Sequence, residues 1–288
     1  MDILGKRNIW YTISLAVILI GLVFLLFNGL NLGIDFQGGT ILEFSFTQNV
    51  SNEEVRTVLE EINIAEDSQL QQSSKGDLSG VIIRTSELNT EEISSIQDSL
   101  TSKYPSANML RSDMVGPLIG QELRRKALMA LLLASLAIVA YISFRFEFRF
   151  AIVAIITLLH DVAIVLGIFA ILQKEINTAF VAALLTIIGY SINDTIVIFD
   201  RIRENMKLMR RTPFIQKANT AVVDTLPRSI NTSLTTLITI LAIYLFGGAS
   251  IKIFMLALFI GMFAGTYSSI FVASPLLVTW KEKLSQAK

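Results

Sequence analysis

The segment Thr178–Phe199 reads TAFVAALLTIIGYSINDTIVIF. It is apolar and long enough to cross, as a helix, a bilayer core of roughly 30 Å, which takes about 20 residues. Two polar residues, Asn193 and Asp194, interrupt its second half. An ionisable side chain in a spanning helix costs roughly 2.5–3.5 kcal/mol on insertion scales, so it indicates a functional role. The segment therefore predicts a membrane protein with a functional site inside a spanning helix.

The composition of the whole chain agrees with this prediction. Of its 288 residues, 52% are hydrophobic and only 17% are charged. A soluble protein is typically about 25% charged, so a soluble enzyme, a disulfide scaffold and a nucleic-acid-binding protein are all disfavoured. The chain has no cysteine and one histidine, which excludes thiol chemistry and leaves little for a zinc site. We expect no catalytic residues, no metal site and no cofactor.

Five more segments resemble the first in length and apolarity. The six predicted spans are Ile9–Asn28, Leu128–Phe144, Phe150–Leu172, Thr178–Phe199, Ser229–Phe246 and Ile253–Val278. The first is too long for a signal-peptide core and no cleavage site follows it, so it is interpreted as a retained signal anchor. Six basic residues lie between Arg201 and Lys217, and basic loops remain cytoplasmic. We therefore expect both termini in the cytoplasm.

The long loop at residues 30–122 has the pattern of a water-exposed domain. Thr40–Phe46, Ser68–Ser73, Gly80–Thr85 and Ala107–Val115 are predicted strands. Capping boxes at Ser51 and Asn89 predict two helices between them, which end near Asn63 and Tyr104. The order βαββαβ predicts a small ferredoxin-like α+β domain outside the cytoplasm. The remaining domains are 1–29, the N-terminus with the first span, and 123–288, a five-helix bundle.

Polar residues recur at helical spacing in three spans, and we expect them to face one another in a hydrophilic seam because lipid would leave them unsatisfied. The stripes are Thr157, His160 and Asp161 in span three; Thr186, Tyr190, Asn193 and Asp194 in span four; and Arg228, Asn231, Thr232, Thr235 and Thr239 in span five.

Asp194 and Arg228 lie near the same predicted membrane face, so the sequence favours a pair between them. A carboxylate beside a guanidinium stays ionised and an unpaired buried carboxyl takes up a proton, so an Asp that alternates between these states carries protons. The alternative is a static salt bridge between them, with His160 and Asp161 as a local hydrogen-bonded pair. An intramembrane aspartic protease is disfavoured, because neither Asp161 nor Asp194 lies in a Gly-x-Gly-Asp setting.

Two further segments suggest how the helices pack. Span six has small residues at four-residue steps, among them Gly261, Gly265 and Ser269, which predict close contact with a helix of this chain or of a partner. Residues 212–226 predict a helix at the inner membrane surface, which Pro227 separates from span five.

Several of these motifs resemble the SecD/SecF protein-export family, which is related to the resistance-nodulation-division (RND) transporters. The matching stretches are Gly33–Thr40, with Asp35, Gly38 and Gly39; Leu159–Val162; Gly189–Asn205; and Arg228–Ser233. Together with six spans and one outer domain, the resemblance covers essentially the whole chain. The single short outer domain is similar to that of the SecF branch of the family.

This resemblance implies an accessory subunit of protein export that pairs with SecD. It would use the proton motive force to help move and release preproteins through the SecYEG channel, after SecA has driven them. It implies proton conduction at Asp194 and Arg228, with Asn193, Asn231, Asp161 and His160 as further candidate relay residues. Gly38 and Gly39 would form a hinge or a tight turn. An RND-type small-molecule exporter, a scaffold for SecD, and coupling to sodium remain alternatives, and membrane lipids are expected partners.

Overall fold

A computed structural model describes residues 1–66, 68–75 and 78–286. Within them, six helices are long and apolar enough to cross a membrane: Leu4–Asn28, Pro117–Arg145, Phe148–Leu172, Thr178–Leu208, Phe214–Phe246 and Ser250–Lys283. The predicted number of spans is confirmed for this part of the chain. The last two residues of the expected bundle, 287 and 288, lie outside the described residues.

The elements follow the chain in this order. After a single 3₁₀ turn at Leu4–Lys6 come α1 (Arg7–Asn28), α2 (Ile34–Gln37), β1 (Gly39–Phe46), α3 (Asn52–Glu61), β2 (Gln69–Lys75), β3 (Leu78–Thr85), α4 (Thr90–Lys103), β4 (Asn108–Val115), α5 (Pro117–Arg145), α6 (Phe148–Leu172), α7 (Thr178–Leu208), α8 (Phe214–Phe246), α9 (Ala249–Ser268), a π-helical turn (Ser269–Ala273) and α10 (Ser274–Gln286). The chain divides into two compact units, Leu32–Ala127 and the remainder.

The unit Leu32–Ala127, called the outer unit below after the domain predicted there, has the predicted βαββαβ order. Its four strands are antiparallel and lie in the order β2-β3-β1-β4, which is the ferredoxin-like arrangement. Both predicted capping boxes are present, at Ser51 with Glu54 and at Asn89 with Glu92. Alternate residues of β1, among them Leu42, pack into one core with the apolar faces of α3 and α4 because strand side chains alternate between the two faces.

The two glycines of the Gly33–Thr40 stretch form a tight turn at the start of β1. Gly38 has φ +80° and Gly39 has φ +121°, which side chains rarely adopt. A Cβ on Gly39 would lie 2.5 Å from the Thr85 carbonyl oxygen, and one on Gly38 would lie 3.0 Å from Pro117 Cα. Gly33 precedes α2, where its carbonyl accepts from the backbone N–H of Phe36, and Asp35 lies in that helix. The close contacts favour the tight-turn interpretation over a free hinge.

In the membrane unit, α7 packs against α6, α8 and α9, and α1 packs against α6. The small residues of α9 face α7 of the same chain. A Cβ on Gly265 would lie 2.9 Å from Ser191 Cβ, and one on Gly261 would overlap the Ile187 side chain. Ser269 continues this face and hydrogen-bonds Thr195 at 2.8 Å. This face of α9 is therefore occupied within the chain.

The expected break at Pro227 does not occur. One continuous helix, α8, runs from Phe214 to Phe246 with Pro227 inside it. Ala218, Ala221 and Val222 belong to the buried core of the bundle, so the first turns of α8 do not form a separate surface helix. A proline removes one backbone hydrogen bond, and neighbouring helices allow a spanning helix to tolerate that loss.

Candidate functional site

The ionisable residues inside the bundle form two clusters at different sides of α7. Asp194 lies between α7 and α8, where it contacts Ser229. Asp161 lies among α6, α7 and α9, where it contacts Ser191 and Ser268. No hydrogen bond or ion pair joins the two carboxylates in the described part of the chain. The single seam expected from the sequence is therefore two separate sites.

The Asp194 carboxylate is only partly satisfied. Its Oδ1 accepts a hydrogen bond from Ser229 Oγ at 2.7 Å. Its Oδ2 is buried and has no partner among the described residues. A buried carboxylate oxygen without a partner is costly, so this atom needs a proton, a water molecule or a group from another chain.

The expected pair between Asp194 and Arg228 is not formed in this structure. Arg228 is exposed on the surface of the bundle and makes no ion pair or side-chain hydrogen bond with another described residue. Arg228 nevertheless immediately precedes Ser229, the residue of α8 that bonds Asp194 of α7. The guanidinium is therefore near the carboxylate but free to bind another group.

The polar stripe of α8 faces outward, which corrects the expectation of an interior seam. Its members, Arg228, Asn231, Thr232, Thr235 and Thr239, are all exposed, as are Thr186 and Asn193 on α7. The threonines need no partner helix because, for example, the hydroxyls of Thr235 and Thr239 donate to carbonyls of their own helix. Arg228, Asn193 and Asn231 have no such internal bond and leave a polar surface in a membrane-spanning region.

The inward polar residues of α8 are serines that the sequence analysis did not select. Ser229 and Ser233 are buried. Ser233 accepts from Tyr190 Oη at 3.2 Å and hydrogen-bonds Thr266 of α9 at 2.7 Å. Ser229 follows Arg228 directly in the stretch Arg228–Ser233. Because successive residues of a helix point in different directions, an outward Arg228 allows Ser229 to point inward, and this was the signal in the sequence.

The second cluster is completely enclosed. Asp161 is 0% exposed and His160 is 7% exposed. Asp161 Oδ1 lies 2.9 Å from His160 Nδ1, while its Oδ2 accepts from Ser191 Oγ at 2.5 Å and Ser268 Oγ at 2.9 Å. His160 Nε2 is buried without a partner. Three helices are thus joined at one carboxylate.

The arrangement allows proton binding more readily than metal binding. No group of three or more His, Cys, Asp or Glu side chains that could hold a metal ion occurs among the described residues. Each cluster instead has one carboxyl group, neighbouring hydroxyls and one buried polar atom without a partner. A carboxyl group in such surroundings can gain and lose a proton.

Two models of known protein families match the chain. The model described as "Protein export membrane protein SecD/SecF, C-terminal" matches residues 95–283. The model described as "SecD/SecF GG Motif" matches residues 23–50, which contain Gly38 and Gly39. The first match alone covers more than half of the chain.

Individual relatives agree with these matches. The chain is 45% identical to "Protein translocase subunit SecF" of Thermobaculum terrenum, over 98% of this chain and 95% of that protein. It is 42% identical to "Protein translocase subunit SecDF" of Thermus thermophilus, over 94% of this chain but 37% of that protein.

One solved structure has the same fold over nearly the whole chain. The crystal structure of SecDF from Thermus thermophilus, described as a translocon-associated membrane protein, matches with a TM-score of 0.91 and 39% identity. The match covers 98% of this chain and 39% of the SecDF chain. The six spans and the outer domain therefore correspond to one part of a larger protein in that relative.

Proposed function

This chain belongs to the SecD/SecF protein-export family, and from that membership we propose that it is an accessory subunit of the Sec protein translocase. Together with SecD, it uses the proton motive force to promote the movement and release of preproteins across the cytoplasmic membrane. Its role is transport, and it catalyses no covalent reaction. The use of protons is supported by the Asp194 side chain, in which one carboxylate oxygen accepts a hydrogen bond and the other is buried without a partner among the described residues.

The proposed partner is a SecD chain. The relative named SecF has about the length of this chain, whereas SecDF contains the same region as 37% of a longer protein. The remainder of a SecDF protein is the region that a separate SecD chain would supply. A multi-pass partner would also cover the exposed polar residues of α7 and α8, which are costly in contact with lipid.

The proposed proton site consists of Asp194 and Arg228, with Asn193 and Asn231 beside them. When Asp194 is ionised, the nearby guanidinium of Arg228 stabilises it, and a partner carboxylate that attracts Arg228 away would favour protonation of Asp194. Each proton that crosses the membrane releases about 2.3 kcal/mol per 100 mV, which repeated cycles would convert into helix movement. Asn193 and Asn231 offer amide groups at the same exposed surface, where ordered water would connect the site to the partner.

The wider setting follows from the same membership. Both termini and the basic segment after α7 lie on the cytoplasmic side, where SecA acts, and the outer unit Leu32–Ala127 lies outside, where preproteins leave the SecYEG channel. Lipids of the cytoplasmic membrane surround the exposed apolar faces of α1 and α5.

The test is preprotein translocation into inverted membrane vesicles that contain SecD, with and without a proton gradient. We expect Asp194→Asn and Arg228→Met to lose the gradient-dependent part of translocation and to keep the part driven by ATP. Thr239→Val is the matched control, because Thr239 belongs to the same exposed stripe but its hydroxyl bonds within its own helix. Normal gradient dependence in both charge variants would contradict the coupling role and favour a scaffold for SecD.

A further inference from the structure

The enclosed cluster around Asp161 is separate from the proton site proposed at Asp194. It lies near the middle of α6; its carboxylate accepts from Ser191 of α7 and Ser268 of α9 and lies 2.9 Å from His160 Nδ1 of α6. All four residues are at least nine-tenths buried. A carboxylate placed this deeply in a membrane protein is costly unless its charge is neutralised.

His160 is the only described group that can neutralise it. Elements packed against α6 are α1, α7, α9, the π-helical turn and α10. From these, the titratable side chain that faces the cluster is Tyr267 of α9, whose ring stacks on His160 at 6.3 Å. The phenol of Tyr267 donates to the Trp10 carbonyl and accepts from Ser14, so it bonds to α1 instead of to the carboxylate.

The charged residues of the neighbouring helices are engaged elsewhere. Arg7 of α1 pairs with Glu282 of α10 at 2.8 Å. Lys281 of α10 lies over the Phe214 ring, and Asp194 of α7 bonds to Ser229 of α8. A neutral His160 would therefore leave an uncompensated negative charge at Asp161, whereas one additional proton makes the pair neutral.

We propose that His160 and Asp161 form a second proton-binding site, which holds one additional proton between His160 Nδ1 and Asp161 Oδ1. The proposal rests on the proton-driven function inferred above and extends it to a separate site. The buried Nε2 atom of His160 has no hydrogen-bond partner in the described part of the chain, and it is the atom at which a proton enters. When a proton binds to Nε2, the proton on Nδ1 passes to Asp161 Oδ1, so that the imidazole stays neutral and the carboxyl group becomes neutral.

The site is connected to Asp194 through α7. Ser191, which donates to Asp161, lies three residues before Asp194 and four before Thr195 on the same helix. Thr195 hydrogen-bonds Ser269, the residue after Ser268, at the start of the π-helical turn. π-helical turns are rare and occur frequently at functional sites. Protonation of Asp161 therefore acts on the helix that positions Asp194.

His160 is the only histidine in the chain, so a spectroscopic test can report this site alone. The full chain is labelled with ¹⁵N-histidine, reconstituted in lipid bilayers, and its imidazole ¹⁵N spectrum is recorded across the pH range in which the protein stays folded. In the wild type we expect one transition between the states with and without the additional proton. Asp161→Asn removes the only counter-charge, so we expect it to lose this transition.

Three further variants make the test specific. Ser268→Ala removes one donor to Asp161 and should move the transition, which keeps the proposal testable if Asp161→Asn does not fold. Thr157→Val is the matched control: Thr157 is buried one turn away and its hydroxyl bonds only to the Val153 carbonyl of its own helix. Asp194→Asn should leave the transition in place, because it alters the other site.

The outcomes distinguish the two proposals. An imidazole ¹⁵N spectrum that shows the same tautomer at every pH in the wild type, or a transition unaffected by Asp161→Asn and Ser268→Ala, would overturn the second proton site. That result would leave the role of Asp194 untouched. Conversely, loss of the ¹⁵N transition in Asp161→Asn, with normal gradient-dependent translocation in Asp194→Asn, would retain this site and contradict the function proposed above.

Discussion

Replacement of Gly265 by alanine tests the helix contact that joins α9 to α7. An added Cβ would lie 2.9 Å from Ser191 Cβ and 3.3 Å from Ser191 Cα. Non-bonded carbon atoms do not approach this closely, and the short side chain of Ser191 has no flexible end that can move aside. The two helix backbones must therefore separate locally, which also disturbs the hydrogen bond from Ser191 to Asp161.

The expected magnitude follows from comparison with Gly189→Ala. Gly189 lies inside α7, and a Cβ there would meet no other atom within 4 Å. Both substitutions gain the same helix propensity, about 0.8–1.0 kcal/mol in soluble hosts, so this contribution cancels when the two variants are compared. The difference in unfolding free energy between the two variants is therefore the cost of overpacking at Gly265, which is typically about 1–3 kcal/mol.

The assay is reversible unfolding of the isolated chain in mixed micelles, followed by circular dichroism. We expect Gly265→Ala to be less stable than Gly189→Ala by about 1–3 kcal/mol. Gly261→Ala should be at least as destabilising as Gly265→Ala, because its Cβ would lie 2.3–2.8 Å from three side-chain atoms of Ile187, which is fully buried. Equal stability of Gly265→Ala and Gly189→Ala would refute the close α7–α9 contact.

Three other predictions concern single residues. Gly39→Ala should destabilise the outer unit, because Gly39 has φ +121° and an added Cβ would meet the Thr85 carbonyl oxygen. Gly116→Ala is the control and should leave the stability of this unit unchanged. The measurement is the resistance of the outer unit to protease. Glu54 accepts hydrogen bonds from the backbone and side chain of Ser51, which lower its pKa below 4.5. Because the pKa is lower in the folded state, the ionised Glu54 stabilises the fold above about pH 4.5, and this stabilisation is lost as the pH falls through the folded-state pKa. Glu54→Gln should therefore reduce thermal stability at neutral pH but not in strong acid. Ser229→Ala removes the only hydrogen bond that the Asp194 side chain makes with a described residue, so it should weaken gradient-dependent translocation, and an unchanged rate would contradict a role for that bond.

Local patterns predicted the outer unit well. The capping boxes at Ser51 and Asn89 depend on side chains three residues apart, and apolar and polar residues alternate in β1 from Leu42 to Phe46, so each element is determined by its own sequence. The antiparallel order then follows from a common topology of short α+β domains. Spans are equally local, because length and apolarity alone identify them.

The candidate sites were predicted less completely because they depend on which side of each helix faces inward. Threonine hydroxyls in α8 bond to their own helix, so the polar stripe from Arg228 to Thr239 did not indicate the buried face. Contacts between distant residues, such as Asp161 with Ser268, cannot be obtained from helical spacing within one span. Asn193, Asp194 and Arg228 were identified because polar residues are rare in such segments.

If proton movement through Asp194 drives export, translocation must depend on the proton gradient and on the Asp194 carboxyl group. Translocation into inverted vesicles is measured while either the proton gradient or the sodium gradient is collapsed, in the wild type and in Asp194→Asn. We expect the wild type to lose its gradient-dependent translocation only when the proton gradient is collapsed, and Asp194→Asn to show no such component under either condition. Dependence on sodium alone, or a normal response to the proton gradient in Asp194→Asn, would contradict this expectation.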